Sequence, residues 1–330
     1  MANATTLFAQ TPPPSAAVDA AAQQAAQFEQ QRQAQIDEAR RQAEAPATTP
    51  GGSLEGEELT ETDPDAFKLE FSDLEIKDYT LLEPQFIGGL RLKYEGQSLG
   101  MIEVNNILRE ITNEYVAKGF ITCRAYLPEQ DITSGKLIIK CVEGKLEGFK
   151  GATNPKNIGV KNAFPGLSGK FLNLRDLEQG IDQLNRLPSN DAKMDIQPGK
   201  GLGGSLVNLT NDPGKRYRLI QSIDNSGFST TGEYQARITG QLDNQFGWNE
   251  QWTAYYGRDI TSASDGNYSE MAGLTFSIPY GYWLFDAGVN YFGYDSNLPL
   301  EFYDVNSRGD NLGFSLGGSY LFHRDQNTKS

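Results

Sequence analysis

The chain has 330 residues, a formal net charge of −14, 38% hydrophobic residues and 22% charged residues. The length allows two or three domains, and no apolar run reaches the roughly 18 residues that a transmembrane helix needs, which excludes such a helix. The acidic balance and the lack of a Lys/Arg cluster argue against nucleic acid as a partner.

The N-terminal 66 residues show no pattern of a packed core. Ala2-Asn3-Ala4 has the A-x-A form of a signal-peptidase site and favours an exported protein, although a chance Ala-rich start gives the same letters. We predict a tail and helix over residues 1–44, because residues 17–44 are mainly the helix formers Ala, Gln, Glu and Arg. Such a polar helix either fills a wet cavity or frays. Residues 45–66 predict a flexible acidic linker.

The first predicted domain covers residues 67–143. The stretch KLEFSDLEI, which starts at Lys68, predicts a strand, and the hairpin within Gly119–Gly148 supplies two more. Between them, helical spacing of apolar residues predicts one helix that Gly119 ends. These residues are Val104, Ile107, Leu108, Ile111 and Tyr115. The apolar face of this helix can cover a small sheet.

The second predicted domain, residues 144–212, repeats the order of strand, helix and two strands. Asn173 predicts the N-cap of a helix that Pro188 ends. Its apolar stripe consists of Leu174, Leu177, Ile181, Leu184 and Leu187. The strands DAKMDIQPG and GSLVNLTND follow the helix. The stretch Gly199–Gly204 between them lacks the Lys-Ser/Thr ending of a phosphate-binding loop, so it predicts a hairpin turn.

Residues 213–330 show no helical spacing and predict about six strands of roughly 9–13 residues, long enough to cross a bilayer at a tilt. Apolar and polar residues alternate along each strand, as in TGEYQARITGQLDN. Short turns alternate with longer polar loops such as residues 295–310, which indicates an outer-membrane β-barrel. Half of a β-sandwich also explains the alternation. It explains less well the aromatic residues near the strand ends, which are Trp252, Tyr255, Tyr256, Tyr280, Tyr282, Trp283, Tyr291 and Tyr294.

A family resemblance is carried by motifs in both domains and in the first strands. YLPEQ lies in the first domain, FPGLSG, RDLEQ and LNRLPSN lie in the second, and DNSG begins the strand region. They occur in the order found in the haemolysin secretion/activation (ShlB/FhaC/HecB) family. The chain therefore resembles the two-partner secretion transporters of that family over nearly its whole length.

The resemblance implies an α+β part followed by an all-β part. After the N-terminal helix and linker come two polypeptide-transport-associated (POTRA) domains, each with a β-α-α-β-β plan. Residues 213–330 are then the first strands of an outer-membrane β-barrel. The family's barrel is a larger closed cylinder, and its Val-Arg-Gly-Tyr loop does not occur in this sequence. We therefore expect the chain to be a fragment of the gene product that does not conduct by itself.

The resemblance also implies a location and a function. The barrel lies in the outer membrane of a Gram-negative cell, in contact with lipid, and the POTRA domains lie in the periplasm. The POTRA domains recognise the N-terminal secretion domain of a large haemolysin- or adhesin-like partner. The partner then crosses the membrane through the barrel, which the N-terminal helix plugs at rest.

Two other functions fit parts of the pattern. The POTRA pair alone is a periplasmic client-binding module, or the chain is a barrel-assembly factor of the wider POTRA-barrel superfamily. The plug helix and the presence of only two POTRA domains favour the secretion transporter. An enzyme is not expected, because the sequence pairs no nucleophile with a base and its single histidine, His323, lies at the end of the last strand. We also expect no cofactor and no metal site.

The first candidate client-binding residues lie in the hairpin and are Tyr126, Pro128, Glu129 and Gln130. A hairpin of this kind offers backbone edge groups and a docking face to an extended client through strand addition. The alternative is a turn whose proline and acid only fix its geometry.

The second candidate group, Arg175, Asp176 and Glu178, begins the second predicted helix; its alternative is the solvated face of that helix. Cys123 and Cys141 lie on the two arms of the hairpin, with their midpoint at residue 132. They could therefore face each other and form a disulfide in an oxidising periplasm. Two buried free thiols are the alternative.

Overall fold

The structure, a computed structural model, describes residues 69–130, 135–151, 158–227, 231–261, 267–299 and 303–324. The predicted N-terminal helix and acidic linker, residues 1–66, lie outside these ranges. Two small α/β units precede a six-stranded antiparallel sheet, so the described fold is α+β followed by all-β, as expected. None of the helices in the described ranges has both the length and the apolar character that a membrane crossing requires.

The first unit contains two helices and two small sheets. Its elements are β1 (Leu69–Glu70), β2 (Asp73–Lys77), α1 (Pro84–Tyr94), β3 (Ser98–Leu99), α2 (Met101–Ala117), β4 (Arg124–Tyr126) and β5 (Lys136–Val142). Strand β5 is central in a three-stranded sheet, parallel to β2 and antiparallel to β4. Strands β1 and β3 pair separately. The predicted helix is confirmed as α2, which buries Val104, Ile107, Ile111 and Tyr115.

Helix α1 is an addition to the one helix that periodicity predicts. Gly88 and Gly89 lie in its middle and weaken the helical signal, since glycine costs about 1 kcal/mol in a helix relative to alanine. Pro84 occupies the first turn, where its missing N–H does no harm. The helix nevertheless forms because Ile87 and Leu90 bury themselves in the core of the unit.

The second unit repeats the plan of the first. Its elements are β6 (Lys145–Lys150), α3 (Ile158–Ala163), α4 (Leu174–Asn185), β7 (Ala192–Pro198) and β8 (Gly204–Asn211). Strand β8 is central, parallel to β6 and antiparallel to β7. The Asn173 side chain caps α4 by accepting from the Arg175 N–H at 2.8 Å, as predicted. Both units therefore have the β-α-α-β-β order that the resemblance implied.

The six-stranded sheet is a meander in which each strand pairs with the next. Its strands are β9 (Tyr217–Asp224), β10 (Gln235–Asp243), β11 (Gln251–Asp259), β12 (Tyr268–Tyr280), β13 (Trp283–Pro299) and β14 (Asp304–Tyr320). Strands β13 and β14 have 17 residues each and continue into residues 295–310, which the sequence predicts as a loop. That prediction is wrong because polar pairs such as Ser296 with Ser307 extend the ladder, which needs no apolar face there.

The register gives the sheet one apolar face and one polar face. Ile238, Tyr256 and Ala272 are consecutive cross-strand partners on the first face, and this row continues with Tyr291 and Leu312. The next row, on the opposite face, consists of Thr239, Tyr255, Gly273, Asn290 and Gly313. The alternation read from the sequence is thus confirmed in three dimensions.

Two of the predicted strand-end aromatics belong to the polar face. Tyr255 lies over Gly273, and Tyr294 lies over Gly309, where a Cβ atom would collide with each ring. The apolar face is not the inside of a sandwich within the described residues. Phe314 is 78% exposed and Leu316 is 89% exposed on it.

Candidate functional site

Gln130 closes the sheet of the first unit at the point where β4 ends. Its Oε1 accepts from the Ile138 N–H at 2.8 Å, and its Nε2 donates to the Ile138 carbonyl at 2.7 Å. Pro128 has no N–H and cannot continue the ladder of β4, so the amide of Gln130 supplies both groups instead. In this structure Gln130 is a capping residue, and its side chain does not point to solvent.

The other candidate residues of the hairpin differ in their exposure. Tyr126 is 39% exposed, Glu129 is exposed, and Pro128 is half-buried. On the outer edge of β4 the Ala125 N–H donates to the hydroxyl of Thr112 on α2 at 3.3 Å. Helix α2 and Gln130 thus occupy some of the backbone groups near the end of β4, and docking of a client on this hairpin stays a prediction.

The two cysteines are free and buried. Ala125, and not Cys123, is the cross-strand partner of Cys141, so the two thiols are offset along the hairpin by two residues. The Cys123 sulfur accepts from the Gly144 N–H at 3.2 Å. Burial raises the pKa of both thiols, that of Cys141 to about 11. Of the two alternatives in the sequence, the structure has two buried thiols, because the hairpin is centred on residue 133 and not on residue 132, which shifts the pairing by two residues.

The outer edge of β7 in the second unit is partly open. At its start, Asn185 accepts from the Ala192 N–H and donates to the Ala192 carbonyl, at 2.7 and 2.9 Å. At its end, Pro198 has no N–H to offer. Because direction alternates along a strand, the N–H and carbonyl groups of Met194 and Ile196 face the same way as those of Ala192. No described strand pairs with them there.

The edges formed by β6 and β2 are also covered in part. The Leu146 N–H of β6 donates to the Lys170 carbonyl at 2.9 Å, and the Gly169 N–H donates to the Leu146 carbonyl at 2.6 Å. On β2 the Leu74 N–H donates to the Glu95 carboxylate at 3.3 Å. Strand β7, with the outward groups of Met194 and Ile196 unpaired by any described strand, is a candidate for pairing with an extended peptide.

Helix α4 carries the second predicted group of client-binding residues, and the structure brings them together inside the molecule. Arg175 forms an ion pair with Glu178 one turn along the helix, at 2.9 Å. The Tyr282 hydroxyl, in the turn between β12 and β13, donates to Asp176 at 2.7 Å. Burial and this bond raise the pKa of Tyr282. Arg324, beyond β14, donates to Glu178 at 3.3 Å. These residues lie where helix α4 meets the six-stranded sheet, and this contact region is called the junction below.

The junction continues to the C-terminal end of α4, where Arg186 reaches one strand and one turn of the sheet. Its guanidinium donates to the Ser277 hydroxyl on β12 at 2.9 Å and to the Asn249 carbonyl at 2.7 Å. The side chain is half-buried, and its Nε has no hydrogen-bond partner within the described residues. Burial lowers the pKa of Arg186 to about 10, although the nearby carboxylates of Asp243 and Glu250 oppose the shift.

The turn that receives Arg186 is itself held in one shape. Glu250 is fully buried, and its carboxylate accepts from the N–H groups of Phe246 and Trp248 at 2.7 and 3.0 Å. The Gly247 carbonyl accepts from the Gly159 N–H of α3 at 2.8 Å. The turn therefore offers fixed acceptors to the second unit.

Sequence reasoning missed most of this junction. Pro188 in the motif LNRLPSN predicts the end of the helix, but nothing in the motif predicts that Arg186 contacts the sheet or that the Ser189 N–H donates to Asp243 at 3.3 Å. The run QFGWNE contains Glu250, which fixes the turn, but no spacing rule links it to the helix. Arg324, whose side chain is 5% exposed, gave no signal in the sequence.

Comparisons with known proteins match consecutive parts of the chain to related family models. Residues 203–330 match the family model described as haemolysin secretion/activation protein ShlB/FhaC/HecB. Residues 70–144 match the ShlB-type POTRA domain, and residues 145–198 match another POTRA domain model. The outer membrane transporter CdiB of Dickeya dadantii is 33% identical over 251 residues, which cover 76% of this chain and 45% of that protein.

Further relatives support the same assignment. The hemolysin transporter protein ShlB of Serratia marcescens is 32% identical over 76% of this chain and 44% of its own length. The solved structure of CdiB from Escherichia coli has a TM-score of 0.80 and 30% identity, covering 93% of this chain and 57% of that one. CdiB from Acinetobacter baumannii, 20% identical with a TM-score of 0.71, shares the fold. The chain spans about half the length of the curated relatives it matches.

Proposed function

Because the chain belongs to the haemolysin secretion/activation (ShlB/FhaC/HecB) family, we propose that it works in two-partner secretion. It contributes POTRA domains and barrel strands to a pore that moves a large partner protein across the outer membrane. The proposed domains are residues 67–143, 144–212 and 213–330, preceded by the tail and helix (1–44) and the linker (45–66). The role is transport and not catalysis.

The observation that carries this proposal is the division of the six-stranded sheet into two faces. The apolar face, with Leu312, Phe314 and Leu316 exposed, suits contact with outer-membrane lipid. The opposite face carries small and polar residues, among them Ser222, Thr239, Asn290 and Ser315. Such a face suits a wet pore. With a net charge of −14, nucleic acid is not a proposed partner.

The first experiment compares the proteins that cells secrete with and without the gene. We expect deletion to remove at least one large protein from the medium, and complementation to restore it. If the medium is unchanged while several β-barrel proteins disappear from the outer membrane, the chain is an assembly factor. If neither fraction changes, the proposal is wrong.

Recognition of the partner is proposed to use the open edge of β7. The Ile196 N–H faces away from β8, so proline at this position removes a group that an added strand needs while it leaves the ladder to β8 intact. Ile196→Ala is the matched control, because it also removes the side chain but keeps the N–H. We expect Ile196→Pro to reduce secretion of the partner much more than Ile196→Ala. Equal secretion by the two variants would exclude backbone pairing at this position.

The hairpin of the first POTRA domain is the second proposed contact. Tyr126 and Glu129 are exposed, and Pro128 fixes the turn between them. Gln130, by contrast, supports the turn from inside through Ile138. Arg175, Asp176 and Glu178 are engaged at the junction in this structure, so a client reaches them only if the junction opens. Tyr126→Ala should therefore weaken partner binding more than Arg175→Ala.

A further inference from the structure

Helix α4 lies along the ends of several strands of the sheet, and it contacts the sheet at both of its ends. Asp176 contacts the turn between β12 and β13. About one and two turns further along the helix, Gln179 and Gln183 donate to the Gly281 carbonyl at 3.5 and 3.1 Å. Arg186 then reaches β12 and the turn between β10 and β11.

The dimensions of the helix fit this arrangement. From Asp176 to Arg186 the helix rises about 15 Å, at 1.5 Å per residue. Neighbouring strands lie about 4.8 Å apart, so the distance from β13 to β10 is about 14 Å. One side of α4 therefore has the length needed to contact four strand ends in turn. Its other side carries Leu177, Ile181 and Leu184 into the core of the second unit.

The N-terminal end of the same helix is bound to the first unit. The Leu174 N–H donates to the Gly119 carbonyl at 2.8 Å. The Asn173 amide donates to the Lys118 carbonyl at 3.1 Å, while its oxygen caps the helix. Gly119 has a φ of +88°, and a Cβ atom there would collide with Asn173. Helix α4 thus contacts the first unit, the second unit and the sheet.

We infer that α4 is a fixed bridge between the POTRA domains and the sheet, and that Arg186 is the residue that positions it. Arg186 suits this role because one planar guanidinium donates to two separate segments of the sheet, which fixes an angle as well as a distance. The bridge holds the open edge of β7 at one orientation relative to the polar face. The consequence for secretion rests on the proposed function, but the geometry does not.

The geometric test measures the distance between two spin labels by pulsed electron paramagnetic resonance, on the gene product in detergent. The labels are attached at Lys193→Cys in the second unit and Gln221→Cys on β9, both exposed positions, while Cys123 and Cys141 are buried. We expect a single narrow distance in the parent protein. Arg186→Met should broaden it, and Arg186→Lys should give an intermediate width.

The matched control is Arg175→Met, which makes the same change on the same helix. Arg175 pairs with Glu178 inside the helix, so the distance should stay narrow. If Arg186→Met gives the parent width, Arg186 does not position the bridge. A label pair within the second unit, at Lys161→Cys and Lys193→Cys, reports whether that unit stays folded. If the second unit unfolds in Arg186→Met, the distance between the labels is measured in Ser277→Ala instead, because this variant removes only one acceptor of Arg186. A distance distribution as narrow as that of the parent would then overturn the inference.

The functional test separates partner binding from transport. We expect Arg186→Met to lower secretion about tenfold, a usual size for coupling between two sites, with unchanged capture of the protein that the deletion experiment identifies. Loss of capture in proportion to secretion would show that Arg186 acts on the partner and not on the bridge. If no secreted protein is found at all, the proposed function fails, while the distance measurement still decides the geometry.

Discussion

The guanidinium of Arg324 donates to the Asp182 carboxylate at 2.6 Å, although 142 residues of chain separate the two. The same side chain donates to the amide oxygen of Gln179 at 3.0 Å and to Glu178 at 3.3 Å. Its side chain is 5% exposed, and the two carboxylates are 12–13% exposed. The chain just beyond β14 is therefore held by the middle of helix α4.

Replacement of Arg324 by methionine should loosen α4. A hydrogen bond to a charged group contributes about 1.5–3 kcal/mol, and the variant also leaves two carboxylates shielded from water without their partner. We expect the backbone amides of α4 to exchange with deuterium at least about tenfold faster, the factor that corresponds to 1.4 kcal/mol. Arg175→Met is the control, and equal acceleration in both variants would contradict the prediction.

Gln130→Glu should destabilise the first unit in a pH-dependent way. A carboxylate can accept from the Ile138 N–H but repels the Ile138 carbonyl, whereas a neutral carboxylic acid can donate to it as the amide does. We expect a loss of about 1–2 kcal/mol of unfolding free energy at neutral pH, much of it recovered in acid. The unfolding free energy is measured by labelling the buried Cys123 and Cys141 at increasing urea concentration. The label is a disulfide reagent that also reacts at acid pH. Gln130→Leu, which loses both hydrogen bonds to Ile138 and has no titratable group, should show no such recovery.

The carboxylate of Glu143 should make the first unit acid-sensitive. It accepts from the Thr80 and Leu81 N–H groups at 2.7 and 2.8 Å and from the Tyr115 hydroxyl at 3.0 Å. Burial alone would raise the pKa of Glu143, but these bonds and one from the Thr80 hydroxyl outweigh it and hold the pKa below its usual 4.5.

Stabilisation by a group with a lowered folded pKa is present above the unfolded pKa and is lost as the pH falls through the folded pKa. The parent should therefore lose stability as the pH falls below about 4.5. Glu143→Gln should be less stable at neutral pH and should lose less on acidification. The urea midpoint of Cys123 and Cys141 labelling, followed from pH 7 downwards, tests this. Parallel pH profiles in parent and variant would argue against a role for Glu143.

Gly180→Ala should damage the second unit, because a Cβ atom at Gly180 would overlap the Phe164 ring. Overpacking of this kind costs about 1–3 kcal/mol. Phe164→Leu in the same chain should recover part of the loss. Gly88→Ala in α1 is the matched control, since nothing lies within 4 Å of its Cβ position, and it should be neutral or stabilising by up to about 1 kcal/mol. The rates of amide hydrogen exchange in α4 and in α1 measure the effects of Gly180→Ala and Gly88→Ala.

Both cysteines should resist alkylation in the native protein and react fully after denaturation without reductant. Burial shields Cys123 and Cys141 and raises their pKa values, which lowers the fraction of reactive thiolate. Mass spectrometry after maleimide treatment counts the adducts. Two adducts on the denatured, unreduced chain are expected; none would mean that the disulfide alternative holds in the cell.

Periodicity predicted those elements that bury one face. Helices α2 and α4 and the alternating strands follow directly from apolar spacing, because the spacing records which side meets the core. Helix α1 did not follow, since Gly88 and Gly89 hide a short stripe that only tertiary packing stabilises. The polar end of the β13–β14 hairpin was missed for a similar reason. Where neither face of a strand pair is apolar, the sequence shows no alternation of apolar and polar residues.

The polar contacts of the site could not be derived from the sequence. Gln130 and Asn185 cap backbone groups of Ile138 and Ala192, and a backbone partner leaves no trace in residue type. Arg186 and Ser277 are 91 positions apart, and their pairing depends on where the sheet lies relative to the second unit. The motifs that carried the resemblance include Arg186, but the resemblance does not state which group it contacts.

The short length of the open edge on β7 also bears on solubility before the chain reaches its membrane. A long bare strand edge would pair with the same edge of a second copy and start aggregation. Here the amide of Asn185 occupies the first position and Pro198 ends the ladder, which leaves Met194 and Ile196 between them. Two copies could form only a few hydrogen bonds along such an edge, which weakens self-association. Asn185 and Pro198 thus help to keep newly made chains apart.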